Sequence, residues 1–105
     1  MEYKDEFLYL TTTGWKSGNP HEIEIWFVKN NGAYYLISEH SERSHWVKNI
    51  RHNPTISFWV GGEHYQGQGR AVDPAAEPEL AAEISILMAA KYDWSDGLIV
   101  ELKAE

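Results

Sequence analysis

Cysteine is absent from the 105 residues, which excludes disulfides and thiolate-ligated metals and fits a reducing compartment. Basic residues are scarce: nine Lys and Arg face sixteen Asp and Glu, for a net charge of −7. Non-specific nucleic-acid binding needs clustered, uncompensated cations, so a nucleic-acid partner is disfavoured. No apolar run approaches the roughly 20 residues that span a bilayer, so no membrane span is expected. The start, Met1-Glu2-Tyr3-Lys4-Asp5-Glu6, lacks the apolar region of a signal peptide, and a cytoplasmic location is the expectation. The length suits a single domain over residues 1–105. What the chain has in abundance is flat side chains, with five Trp, six Tyr and three Phe.

Local patterning gives the order βββαββαβ. Phe7 to Thr13 is apolar, then β-branched, and closes at Gly14, as a strand does. Gly14-Trp15-Lys16-Ser17-Gly18-Asn19-Pro20 is dense in turn formers. His21 to Val28 alternates and then runs continuously apolar, and the Asn-Gly pair within Lys29–Gly32 turns it into a returning strand, Ala33 to Ser38. These three strands are expected to start one antiparallel sheet. Trp46, Val47 and Ile50 at helical spacing predict an amphipathic helix over 42–52, with Ser41 as N-cap and Asn53-Pro54 as its stop. Strands follow at Thr55–Val60 and His64–Val72, where Gly67 and Gly69 imply a bulge or a close backbone approach. A second helix over about 77–91 carries an inner stripe of Leu80, Ile84, Leu87, Met88 and Lys91, and a last strand covers Leu98–Leu102. Six strands in short hairpins, with two helices, suit a mainly β (α+β) closed or half-closed barrel.

Familiar catalytic motifs fail on inspection. Gly14-Trp15-Lys16-Ser17-Gly18 lacks the glycine before lysine and the following helix of a P-loop, and Gly67-Gln68-Gly69 lacks the third glycine of a dinucleotide fingerprint. Five histidines form no HExxH and no compact ligand spacing, so no metal site is expected. Glu22 and Glu24 share one strand face and are expected to point to solvent.

Two segments stand apart from the acidic background. The Gly14–Gly18 turn has a cation, a hydroxyl and glycines that let backbone N–H groups point outward, a concavity suited to phosphate or carboxylate. Arg43 to His52 contains Arg43, Lys48 and Arg51 and no acid. Residues 1–72 carry eight acids and seven bases, whereas 73–105 carry eight acids and two, so the first part is free to present a positive site. Core packing accounts for Trp26, Phe27, Phe58 and Trp46. Trp15, Tyr92 and Trp94 fall in turn and loop segments, where rings suit a planar ligand or a subunit interface.

The blocks Leu10-Thr11-Thr12-Thr13-Gly14-Trp15-Lys16-Ser17-Gly18, Tyr35-Leu36-Ile37-Ser38 and Trp46-Val47-Lys48-Asn49-Ile50-Arg51-His52-Asn53-Pro54 resemble the deazaflavin-dependent nitroreductase family. That family belongs to the FMN-binding split-barrel superfamily, with pyridoxamine 5′-phosphate oxidase. The resemblance implies a split β-barrel homodimer that moves hydride between a deazaflavin coenzyme of the F-420 type and a small organic acceptor. FMN in the same groove, or cofactor binding without catalysis, are the alternatives. By position, Thr13, Gly14, Trp15, Lys16, Ser17 and Arg43 would bind the cofactor, with Lys16, Ser17 and the turn backbone on its phosphate side. Ser38 and Glu39 would bond beside its ring system, Trp46 and Asn49 would anchor the closing helix, and Trp26, Tyr92 and Trp94 would border the acceptor. No residue is assigned a catalytic role. Trp15 stands where the family more often has a basic residue, which removes one expected phosphate contact.

Overall fold

The computed structural model describes residues 7–39 and 43–105. Seven strands and two helices follow in the order β1 (Phe7–Thr13), β2 (Pro20–Trp26), β3 (Val28–Asn30), β4 (Ala33–Ser38), α1 (His45–His52), β5 (Thr55–Val60), β6 (Glu63–Ala71), α2 (Pro78–Tyr92) and β7 (Leu98–Ala104). All pairings are antiparallel, in the spatial order β2-β1-β5-β6-β7-β4-β3. The two outermost strands, β2 and β3, are separated by Phe27 alone. One bent segment thus supplies both edges of the sheet and draws it round into a barrel. This mainly antiparallel α+β architecture is the split-barrel arrangement.

The bend corrects the expected three-strand meander. His21 to Val28 is not one strand between its neighbours: β2 pairs with β1, while β3 pairs with β4 at the far side of the barrel. The physical cause lies remote in sequence. The Tyr92 hydroxyl accepts from the Phe27 N–H at 3.1 Å and donates to the Phe27 carbonyl at 3.0 Å, and the Lys91 ammonium donates to the same carbonyl at 2.9 Å. A backbone withdrawn from the sheet ladder must find partners elsewhere. Lys91, expected on the inner stripe of α2, instead reaches over the Phe27 ring at 3.8 Å.

Two cores result. Leu8, Leu10, Phe27, Tyr34, Leu36, Val47, Ile50, Phe58, Val100 and Leu102 fill the barrel. Val28, Ala33, Tyr35, Ile37, Val72 and Ile99 form a second layer with Ala81, Ile84 and Met88 of α2. β4 is buried at all six positions because alternate side chains face the barrel interior and α2. Fully burying each large apolar side chain contributes about 1.5–3 kcal/mol. α1 starts later than the expected 42–52, with Ser44 at its N-cap, and buries Val47, Asn49 and Ile50 against the barrel. The expected cap, Ser41, lies outside the described residues. The Ser44 side chain does not cap the helix; its hydroxyl lies 2.6 Å from that of Ser38.

Gly67 and Gly69 mark close approaches. A Cβ on Gly67 would fall 1.9 Å from the Lys103 carbonyl oxygen, whereas one on Gly69 would meet only the tips of Ile50 and Leu102, at 3.2 Å and beyond. Beside them a polar network crosses β6, β7 and β4. Arg70 forks onto both Glu77 oxygens at 2.6 and 3.0 Å and donates through Nε to Glu101 at 2.9 Å. Tyr35 donates to Glu101 at 2.7 Å. Burial alone would raise the Glu101 carboxyl, but the Arg70 and Tyr35 hydrogen bonds outweigh it and leave Glu101 below the ordinary range. Among the described residues no helix is long and apolar enough to cross a membrane.

Candidate functional site

The Gly14–Gly18 segment is a single helical turn that does not continue. Gly18 N–H donates to the Gly14 carbonyl at 2.8 Å, and Gly18, at φ +76°, takes the left-handed conformation that ends such a turn. Its interior amides therefore have no partner within the turn. Trp15 N–H donates to Asn49 Oδ1 at 3.0 Å, whereas those of Lys16 and Ser17 make no hydrogen bond among the described residues. Asn49 is 3% exposed and also donates to Thr12 Oγ1 at 2.9 Å. One buried amide thus pins α1 to the turn and to β1. The Trp15 indole stacks on His52, with centroids 4.9 Å apart, and the Lys16 ammonium lies 4.8 Å from the Trp15 ring.

Around this turn opens a cavity of about 450 Å³ lined by Gly14, Trp15, Lys16, Ser17, His21, Glu22, Ile23, His45, Trp46, Lys48 and Asn49. A second cavity, of about 610 Å³, is lined by Phe7, Ile23, Glu24, Ile25, Trp26, Ile37, Ser38, Glu39, Ser44, Trp46 and Trp94. Ile23 and Trp46 line both, so the two form successive halves of a groove between β2 and α1. One half offers cations and unpaired amides; the other is walled by rings. In the latter, Trp26 stacks on Tyr92 at 4.5 Å and meets Trp94 edge-on at 6.0 Å. Trp26 was expected in the core but is 36% exposed, because it shares the outward face of β2 with Glu22 and Glu24. Glu22 and Glu24 are both exposed, as their shared face implied, and Glu24 accepts from the Tyr9 hydroxyl at 2.9 Å.

With this geometry in place, the chain can be compared with known proteins. A family model described as F420H(2)-dependent quinone reductase matches residues 2–96. The chain belongs to the F420H(2)-dependent quinone reductase family. Among curated proteins none matches its sequence. Among solved structures, an F420-H2 dependent reductase is 24% identical, with a TM-score of 0.65 covering 93% of this chain and 94% of that one. A FAD-binding protein from Mesorhizobium loti is 14% identical, with a TM-score of 0.74 over 96% of this chain and 82% of that one. A chain described as a domain-swapped dimer is 24% identical, with a TM-score of 0.66 over 96% and 82%. At these identities the likeness is one of fold.

The groove fits the deazaflavin that the quinone reductase family's description names. Gly14 leaves a cradle that a Cβ would fill, 2.7 Å from both His21 Nε2 and Ser17 Oγ. Lys16, Ser17 with its unbonded amide, and the flat Trp46 line the same cavity, a lining suited to an anionic group beside a ring. Of the residues that the sequence singled out, Gly14, Trp15, Lys16, Ser17 and Asn49 line the polar half, Ser38, Glu39, Trp26 and Trp94 the aromatic half, and Trp46 both. Thr13 and the exposed Arg43 line neither, and Tyr92 stands one layer back, behind Trp26. Sequence reasoning missed His21, His45 and Ser44, whereas Lys48, named in the basic segment, does line the polar half.

Proposed function

We propose that this chain is an oxidoreductase transferring hydride between a deazaflavin coenzyme of the F-420 type and a small organic acceptor, a quinone in its family's own description. A reduced deazaflavin supplies the hydride when bound. The chain's contribution is binding, orientation and exclusion of water. Lys16, Ser17 and the free turn amides hold the anionic end through charge-assisted bonds. Trp46 walls the middle of the groove, and Ser38 and Glu39 offer hydrogen-bonding groups beside the ring system. Trp26 and Trp94 flank the acceptor, whose planar face suits theirs.

The observation that carries this reading is the division of one groove into an anion-binding half and an aromatic half that meet at Trp46. A homodimer belongs to the same reading, supported by the domain-swapped neighbour and by Tyr9 and Trp59, cross-strand partners that are both exposed. So does a cytoplasmic location, the compartment that fits a chain without cysteine. The test is retention of ligand fluorescence through gel filtration after incubation with the deazaflavin coenzyme and, separately, with FMN. Retained deazaflavin supports the proposal. Retained FMN alone favours a flavin enzyme, as the FAD-binding neighbour of the same fold would suggest. Retention of neither overturns it. Lys16→Ala should weaken deazaflavin affinity by about 1.5–3 kcal/mol.

A further inference from the structure

We propose that the acceptor this groove takes is a planar compound carrying a positive charge, held in the aromatic half by Trp26, Trp46, Trp94, Glu24 and Glu39. The proposal rests on the reading of the groove as a coenzyme and acceptor site, and names the acceptor's chemical class. Among the described residues, the lining of this half contains no lysine, arginine or histidine, and both of its charged side chains are carboxylates. The polar half is opposite in sign: leaving its histidines aside, it sets Lys16 and Lys48 against Glu22. One groove thus runs from two cations and one anion at the turn to two anions at the aromatic end. A ligand with an anionic tail enters such a groove in one orientation, tail toward the turn. Whatever binds beyond its ring then meets Glu24 and Glu39, which repel an anion, ignore a neutral ring and attract a cation.

The walls favour the same class. An indole face attracts a cation more strongly than a phenol or phenyl face does, and three indoles line this cavity of about 610 Å³. Trp26 and Trp94 stand at 71° to each other, so they offer two walls of a corner rather than one flat slot. Tyr92 covers one face of Trp26 at 4.5 Å and leaves the other to a ligand. Glu24 is steadied at the rim. Its carboxylate accepts from the Tyr9 hydroxyl at 2.9 Å, a bond that in turn raises the Tyr9 pKa above its ordinary value. Lys91, packed on Tyr92, donates to the Phe27 carbonyl and does not line the cavity. Trp94 itself stands in sequence between Asp93 and Asp96, within the acidic last third of the chain, which extends the negative field over this end.

The first test needs no coenzyme. Naphthyltrimethylammonium and naphthalenesulfonate present the same ring with opposite charge; quenching of tryptophan fluorescence measures their binding, and the Trp26 and Trp94 indole N–H signals in NMR place it. The cation should bind at least about tenfold more tightly than the sulfonate. Glu24→Gln and Glu39→Gln should each cut that preference about two- to fivefold. Glu79→Gln removes an equal charge at the start of α2, outside this lining, and should leave the preference as it is. The second test is turnover with reduced deazaflavin coenzyme and naphthoquinones carrying trimethylammonium or sulfonate on the same short alkyl chain. Each reduction takes a hydride from the coenzyme and a proton from water, and leaves the substituent's charge unaltered. The kcat/KM values should favour the ammonium quinone, and Glu24→Gln should narrow the gap. The proposal is overturned if the two naphthalenes bind equally, or if neither binds. It is overturned too if Glu79→Gln narrows the preference as much as the groove variants do, which would assign it to the chain's overall charge. A coenzyme that binds and turns over without preference for the cationic quinone overturns it while leaving the deazaflavin reading intact. A cation preference that persists in a chain failing to bind deazaflavin removes the cofactor reading and leaves the cation site standing.

Discussion

Asn49 is the side chain on which fold and site depend together, and Asn49→Ala tests that dependence. Its amide accepts from the Trp15 N–H at 3.0 Å and donates to Thr12 Oγ1 at 2.9 Å. Thr12 is 2% exposed, so truncation leaves its hydroxyl without this partner in a place water reaches poorly. A buried polar group stripped of its partner costs about 1–3 kcal/mol. The Trp15 amide, nearer solvent, loses a bond worth about 0.5–1.5 kcal/mol. Together these predict a loss of about 2–4 kcal/mol, which for a domain of this size lowers Tm by about 10–25 °C. Thermal unfolding followed by circular dichroism measures that fall. Under conditions where the alanine variant remains folded, the freed turn should also bind deazaflavin more weakly than wild type. Should Asn49→Ala melt within about 2 °C of wild type with unchanged deazaflavin affinity, Asn49 does not organise the turn.

The remaining predictions concern the frame. Gly67→Ala must push β7 away from β6 at Lys103, breaking two or three ladder bonds at a cost of about 2–3 kcal/mol, whereas Gly69→Ala, meeting only side-chain tips, should cost under about 1 kcal/mol. Urea unfolding separates the two, and equal costs would refute the geometry. Glu101→Gln should destabilise by about 1–2 kcal/mol at neutral pH, a figure held down by the half-exposed guanidinium of Arg70. Because the folded state holds the Glu101 carboxyl below its ordinary range, wild type has this stability in full above that range and loses it as pH falls through the folded value. The gap between the two melting curves should therefore narrow from about pH 5 toward pH 3, and a constant gap would assign the effect to packing alone.

Three strands were legible to the residue, β1, β4 and β5, because each is a local pattern closed by its own turn formers. The expected close backbone approach in β6 holds at Gly67 but not at Gly69, which meets only side chains. The break at Phe27 was not legible. Ile25-Trp26-Phe27-Val28 is continuously apolar, and the groups that hold its backbone out of the ladder, Lys91 and Tyr92, come from the end of α2. The Arg70–Glu101–Tyr35 network was hidden likewise, since it exists only once β6, β7 and β4 are in register. In the groove, the turn was legible from its own cation, hydroxyl and glycines, and Trp46 was placed there by the resemblance. His21 was passed over because an isolated histidine at the start of a strand carries no signal until the glycine opposite is seen to make room for it.

The segment around Phe27 also builds the aromatic half of the groove. Two successive residues part there: Trp26, ending β2, faces outward into the groove, while Phe27 turns into the barrel beside Tyr34. The break lets β2 stay beside β1 while β3, one residue on, pairs with β4 at the opposite edge. The same Tyr92 that bonds the bend through its hydroxyl supports Trp26 through its ring, and Trp94, two residues on, supplies the neighbouring wall. The bend that separates β2 from β3 and the aromatic wall are therefore both held by the end of α2 and the residues just after it. A change there acts on stability and on the aromatic half together, while the polar half, held by Asn49 from α1, is braced separately.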